Sequence, residues 1–176
     1  MRTRKIITSA MFLALGVVLP FFTGQMKEIG DTLLPMHIPV MLCGLLCGYP
    51  YGFIVGLVLP LFRAVTVGMP PLYPNAVWMA LELATYGFVI GFLYFRFHKK
   101  QMWWLYCCLV TSMVSGRIVW GIAKTLLLGV AGKAFTLQAF LAGGLIDAFP
   151  GILLQLVLIP AIMKLKDILS ERSWKE

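Results

Sequence analysis

Residues Asn75–Phe95 read NAVWMALELATYGFVIGFLYF and run straight into Arg96-Phe97-His98-Lys99-Lys100. Twenty-one residues with a single charge, Glu82, are long enough to cross a bilayer, which takes about 20 apolar residues. The basic cluster that closes the stretch marks a side, because lysine and arginine concentrate in the cytoplasmic connections of membrane proteins. One acid in the apolar run is costly there and therefore informative.

Outward from this stretch the pattern repeats. The spacing of apolar runs and breakers predicts six spans at about 5–22, 34–48, 51–67, 75–95, 102–128 and 137–163. Thr23–Leu33 is polar enough to be a loop, Gly48-Tyr49-Pro50 is a tight turn, and Gly68–Pro74 (GMPPLYP) is too rich in proline to stay helical. Pro35 and Pro39 sit near the start of the second span, where a missing N–H costs little. The fold class is an all-α membrane protein of six transmembrane helices in one integral domain, residues 1–176. The start, Met1–Lys5 before Ile6–Phe22, lacks a small-x-small cleavage site and is read as a first span.

Composition agrees. The 176 residues are 60% hydrophobic and 12% charged, against about a quarter charged in an ordinary soluble domain. Six spans leave no room for a soluble ATP-binding domain. The formal charge of +8 is explained by placement rather than by nucleic acid. Arg2, Arg4, Lys5, Arg96, Lys99, Lys100, Lys164, Lys166, Arg172 and Lys175 fall on one predicted face, and only Lys27 and Lys133 on the other. That asymmetry puts both termini in the cytoplasm of a plasma membrane. Cys43, Cys47, Cys107 and Cys108 all lie in apolar runs and read as buried hydrophobes, with no disulfide framework and no metal site.

Removing the loops leaves Arg63, Glu82, Arg117, Lys124 and Asp147 inside the spans, with His37 at an entrance. At about 1.5 Å per residue, Glu82 lies roughly 10 Å below the outer end of its span, and Arg117 and Asp147 roughly 15 Å below theirs. The inner halves are almost free of ionisable groups, which predicts a pocket open to the outside. Arg117, Trp120, Gly121 and Lys124 share one helix stripe suited to a small ligand with a carboxylate and an apolar body. The bland reading is that Arg117 and Lys124 pair with Asp147 and Glu82 as helix ties. Tyr73, Asn75 and Trp78 sit where the third loop re-enters the membrane, as ligand contacts or as an interfacial aromatic belt. Gln138 and Gln155 read as a helix-start residue and an interhelical hydrogen-bonding residue. No hydrolase, protease or phosphate-loop motif is present, so an enzyme is not expected and no cofactor is called for. On the first span Ala10 and Ala14, with Ser9 and Gly16 nearby, form a small-residue stripe that admits another membrane chain or tight internal packing.

These features together resemble the substrate-binding S components of energy-coupling factor transporters, bacterial and archaeal vitamin-uptake systems. The resemblance rests on six spans in under 200 residues, Ala10-Met11-Phe12-Leu13-Ala14 matching an Ala-x-x-x-Ala motif, and the Thr23–Leu33 loop. Leu34-Pro-Met-His-Ile-Pro39, Gly68–Pro74 and Glu82-Leu-Ala-Thr-Tyr-Gly87 resemble segments of Firmicute members. It implies capture of a vitamin in the outer half, with the first loop as a lid. It further implies toppling against a transmembrane T component through Ala10 and Ala14, and two cytosolic ATPases as motor. The buried charge excess favours a monoanionic vitamin, pantothenate first, with a pyridoxine-type vitamin or riboflavin behind it. The other classes are a stand-alone secondary transporter and a ligand-free membrane assembly protein.

Overall fold

A computed structural model describes residues 2–22, 34–97, 101–130, 136, 138, 140, 142–143 and 148–172. Among these residues the protein is all-helical. Six α-helices follow one another: α1 (Arg2–Phe22), α2 (His37–Cys47), α3 (Tyr49–Val67), α4 (Val77–Phe97), α5 (Met102–Val130) and α6 (Phe149–Arg172). A single π-helical turn, Leu72–Ala76, leads into α4, with Tyr73 in extended backbone.

Breakers set the ends. Gly68 takes φ +77°, the left-handed conformation that closes a helix, and its N–H returns to Ala64 O at 3.1 Å. The proline-rich stretch after it is not helical until Leu72. Gly48, at φ 107°, separates α2 from α3, and Pro50 sits in the first turn of α3 where a proline is tolerated.

The lipid-facing surfaces explain why the sequence is so apolar. On α5 the exposed residues Val110, Val114, Ile118, Ile122 and Leu126 recur every fourth position, one continuous stripe along a helix. Helix α1 exposes Ile6, Ile7, Met11, Leu15, Val18 and Phe22 and buries little besides Ser9, Gly16 and Pro20. Apolar surface on this scale belongs in a bilayer rather than in water. Helices α1, α3, α5 and the unit from Leu72 through α4 are long and apolar enough to cross a membrane.

Helix α2 differs from the expectation of a span over 34–48. Its 11 residues cover about 16 Å, half of a bilayer core of about 30 Å. Ten of the 11 are buried. It is apolar on every side because protein surrounds it. Ile38, Met41, Leu42 and Leu45 join residues of α4, α5 and α6, while Val40, Cys43 and Cys47 pack with Val55, Leu59 and Leu83. Cys43, Cys47, Cys107 and Cys108 are free thiols.

Helices α3 and α4 pack backbone on backbone at a glycine crossing. A Cβ built on Gly52 would lie 2.6 Å from Gly87 O and 2.7 Å from Gly44 Cα. Only hydrogen fits there. One turn further along α3, Gly56 meets the Leu83 carbonyl and Ala84 N. This contact fixes the register that carries Glu82 into the interior.

Helix α6 begins at Phe149 and continues to Arg172, which shifts the described helix toward the C-terminus from the expected 137–163. Most of residues 137–147, Asp147 included, lie outside the described residues. Lys5 Nζ stands 5.6 Å from the Phe95 ring centroid. Tyr94, Gln101, Met102, Leu105, Met163 and Asp167 line one small crevice. The start of α1, the end of α4, the start of α5 and the C-terminal half of α6 therefore share one basic end of the bundle.

Candidate functional site

Glu82 lies in the second turn of α4, 2% exposed, and faces three elements at once. Arg117 Nη1 of α5 is 3.0 Å from Glu82 Oε1. Tyr86, one turn further along α4, donates its hydroxyl to the same oxygen at 3.1 Å. His37 Nε2, in the first turn of α2, is 3.6 Å away, slightly too long for a hydrogen bond. The His37 and Tyr86 rings meet edge to face at 5.1 Å between centroids. Tyr86 itself rests against Gly116, where a Cβ would lie 2.7 Å from the ring. One carboxylate thus gathers α2, α4 and α5.

A second tier lies nearer the end of the bundle away from the termini. Arg63 lies seven positions beyond Gly56, about 10 Å further along α3 than the contact with Leu83. Arg63 is 4% exposed. Its Nη1 approaches Met36 Sδ at 3.8 Å, and its guanidinium carbon stands 5.6 Å from the Phe21 ring. Across the bundle, Lys124 Nζ lies 4.5 Å from the Trp120 ring and 5.4 Å from the Trp78 ring. Arg117 also faces Trp120, at 5.7 Å. Trp78, Trp120 and Ala123 form a small apolar cluster with Phe140 packed against it.

His37, Glu82 and Arg117 thus form one group, which Arg117 joins to Trp120, Trp78 and the half-buried Lys124, whereas Arg63 stands with Met36 and Phe21. Tyr73 is 58% exposed and stands apart from them. Asn75 is half-buried in the turn before α4. A Cβ built on Gly121 would run into the Phe140 ring, so the two pack closely. Gln155 is buried in α6, and its Nε2 has no hydrogen-bond partner. Gln138 is exposed.

Sequence reasoning missed Tyr86, although its spacing of four from Glu82 was the available signal. It also missed Phe21 and Met36 around Arg63, for which no local signal exists.

The small-residue stripe of α1 divides in two. Ser9 and Gly16, seven apart, face inward. The Ser9 hydroxyl accepts from Cys43 Sγ at 3.5 Å and donates to Lys5 O at 2.7 Å, and Gly16 lies against the Leu59 side chain. Ala10 and Ala14 are exposed on another face.

Charge is unevenly satisfied. A buried ion costs about 2.5–3.5 kcal/mol on membrane-insertion scales unless compensated. Glu82 has its compensation in Arg117 and Tyr86. Among the described residues, Arg117 Nε and Nη2 and Arg63 Nε are buried without hydrogen-bond partners, as are both ring nitrogens of His37. Such an arrangement attracts an anion with further acceptor groups.

A family model described as ECF transporter, substrate-specific component matches residues 4–163. No curated protein and no solved structure matches the chain.

Proposed function

We propose that this chain, which belongs to the substrate-specific components of ECF transporters, binds pantothenate between α2, α3, α4 and α5 for ATP-driven uptake. The family makes it a vitamin-uptake membrane subunit that binds substrate and is not an enzyme. The end of the bundle away from the basic termini then faces outside, and the termini face the cytoplasm.

One observation carries the substrate reading. Among the described residues, Arg117 and His37 lie against the carboxylate of Glu82, Arg63 is buried apart from it against Met36 and Phe21, and Arg117 Nε and Nη2 and Arg63 Nε have no hydrogen-bond partner there. A ligand with one carboxylate and a body of hydroxyl and amide acceptors matches those donors. Asp147 remains a proposed site residue and lies outside the described residues. The tilted rings of Trp120 and Phe140, 5.8 Å apart, favour a second reading in which a flat pyridoxine-type vitamin or riboflavin stacks there.

Membership of the family implies a transmembrane T component and two ATPases as partners in uptake, with Ala10 and Ala14 of α1 as the proposed contact. Equilibrium binding of labelled vitamins to the purified protein is the test. Pantothenate is expected to bind at submicromolar concentration. Binding of no vitamin below micromolar concentration overturns the proposal.

A further inference from the structure

The two buried arginines differ in what surrounds them. Arg117 is committed: its Nη1 donates to a carboxylate that is itself fixed by Tyr86. Arg63 is more deeply buried, and no carboxylate among the described residues pairs with it. Among the described residues its polar and ring contacts are the thioether of Met36, a weak acceptor, and the face of Phe21, and its Nε has no hydrogen-bond partner. Nothing in the packing of α3 demands an arginine here, since its neighbours are apolar. A guanidinium in this setting lacks the fixed anion that normally justifies burial.

We infer that Arg63 is the receptor for the ligand's carboxylate, while Arg117 is a helix tie held by Glu82 and bonds the ligand's neutral acceptors at most. The inference deepens the proposed function and rests on it. The guanidinium presents Nε and an Nη side by side, the geometry of a two-point carboxylate contact. Phe21 of α1 and Met36, just before α2, flank that guanidinium. Substrate charge is thereby read on α3, and the shape of the body is read by the tryptophans of α4 and α5.

The experiment uses the full chain in lipid nanodiscs, as wild type, Arg63→Gln and Arg63→Lys. Each is titrated calorimetrically with pantothenate, biotin and nicotinate, which carry carboxylates. Panthenol, pyridoxine and riboflavin serve as uncharged probes, panthenol differing from pantothenate only in an alcohol for the carboxylate. Thermal unfolding of each ligand-free protein is measured alongside.

Arg63→Gln is expected to weaken pantothenate binding on the order of 10- to 100-fold and to leave panthenol binding unchanged. Arg63→Lys should recover part of the loss. Ligand-free Arg63→Gln should melt at or above the wild-type temperature, because an uncompensated buried cation has been removed. Unchanged pantothenate affinity overturns the inference. So does a fall in ligand-free melting temperature, which reveals a carboxylate of the chain itself as the partner. If wild type binds only uncharged probes, this inference falls and the transport reading stands. If it binds none of the six, both fall.

Discussion

Arg117 of α5 and Glu82 of α4 approach to 3.0 Å inside the bundle, with the glutamate 2% exposed. Such a pair contributes little net stability when intact, because desolvating both ions offsets most of their attraction. Breaking one side is another matter. Glu82→Gln keeps the shape and removes the charge, leaving Arg117 uncompensated among apolar neighbours. We expect a loss on the order of 3–5 kcal/mol in detergent unfolding. The double variant Glu82→Gln/Arg117→Met should recover most of it. A single variant as stable as wild type would show that the pair does not tie α4 to α5.

Tyr86 gives a finer reading of the same oxygen. Its hydroxyl donates to Glu82 at 3.1 Å, and its ring packs on Gly116 and His37. Tyr86→Phe removes the donor and keeps the packing. A hydrogen bond to a charged group is worth about 1.5–3 kcal/mol, so a stability loss in that range is expected. A double-mutant cycle with Glu82→Gln should show coupling between the two changes. Additive losses would mean that Tyr86 acts by packing alone.

The α3–α4 crossing predicts a sharp contrast between two glycine-to-alanine changes. At Gly52 the new methyl would meet the Gly87 carbonyl at 2.6 Å and force the backbones apart, which displaces the Glu82 tier as well. Gly52→Ala should therefore lower both the melting temperature and vitamin affinity. At Gly129, near the end of α5, no atom of the described residues lies within 4 Å of the added Cβ. There alanine gains helix propensity of up to about 1 kcal/mol relative to glycine. Gly129→Ala should be neutral or stabilising. Equal effects at the two sites would refute the close crossing.

How much of this was legible beforehand follows from range. Apolar length and the basic residues after Phe95 reveal a helical membrane protein, because they are local properties of the chain. Glu82 and Arg117 stand out for the same reason, as ions in apolar runs. Which acid pairs with which base was open, since pairing depends on how α4 and α5 rotate against each other. That rotation is set by glycine contacts from a third helix. The surroundings of Arg63 were equally hidden: Phe21 and Met36 lie 42 and 27 residues away in sequence. The second run looked like a short span because hydropathy does not separate a helix buried in protein from one buried in lipid. His37–Cys47 is the former on ten of its 11 residues.

The division of small residues on α1 leads to the last prediction. Ser9 and Gly16 hold α1 against α2 and α3, whereas Ala10 and Ala14 are exposed. Small exposed residues at four-residue spacing let another helix approach closely, and the family supplies a membrane partner for uptake. Ala14→Trp adds bulk on that face without touching the interior. It should abolish uptake in cells while vitamin binding and melting temperature of the purified protein stay at wild-type values. Gly16→Trp, directed into Leu59, should instead destabilise the isolated protein. If Ala14→Trp lowers binding or melting temperature as Gly16→Trp does, that face supports the fold and the proposed T-component contact lies elsewhere.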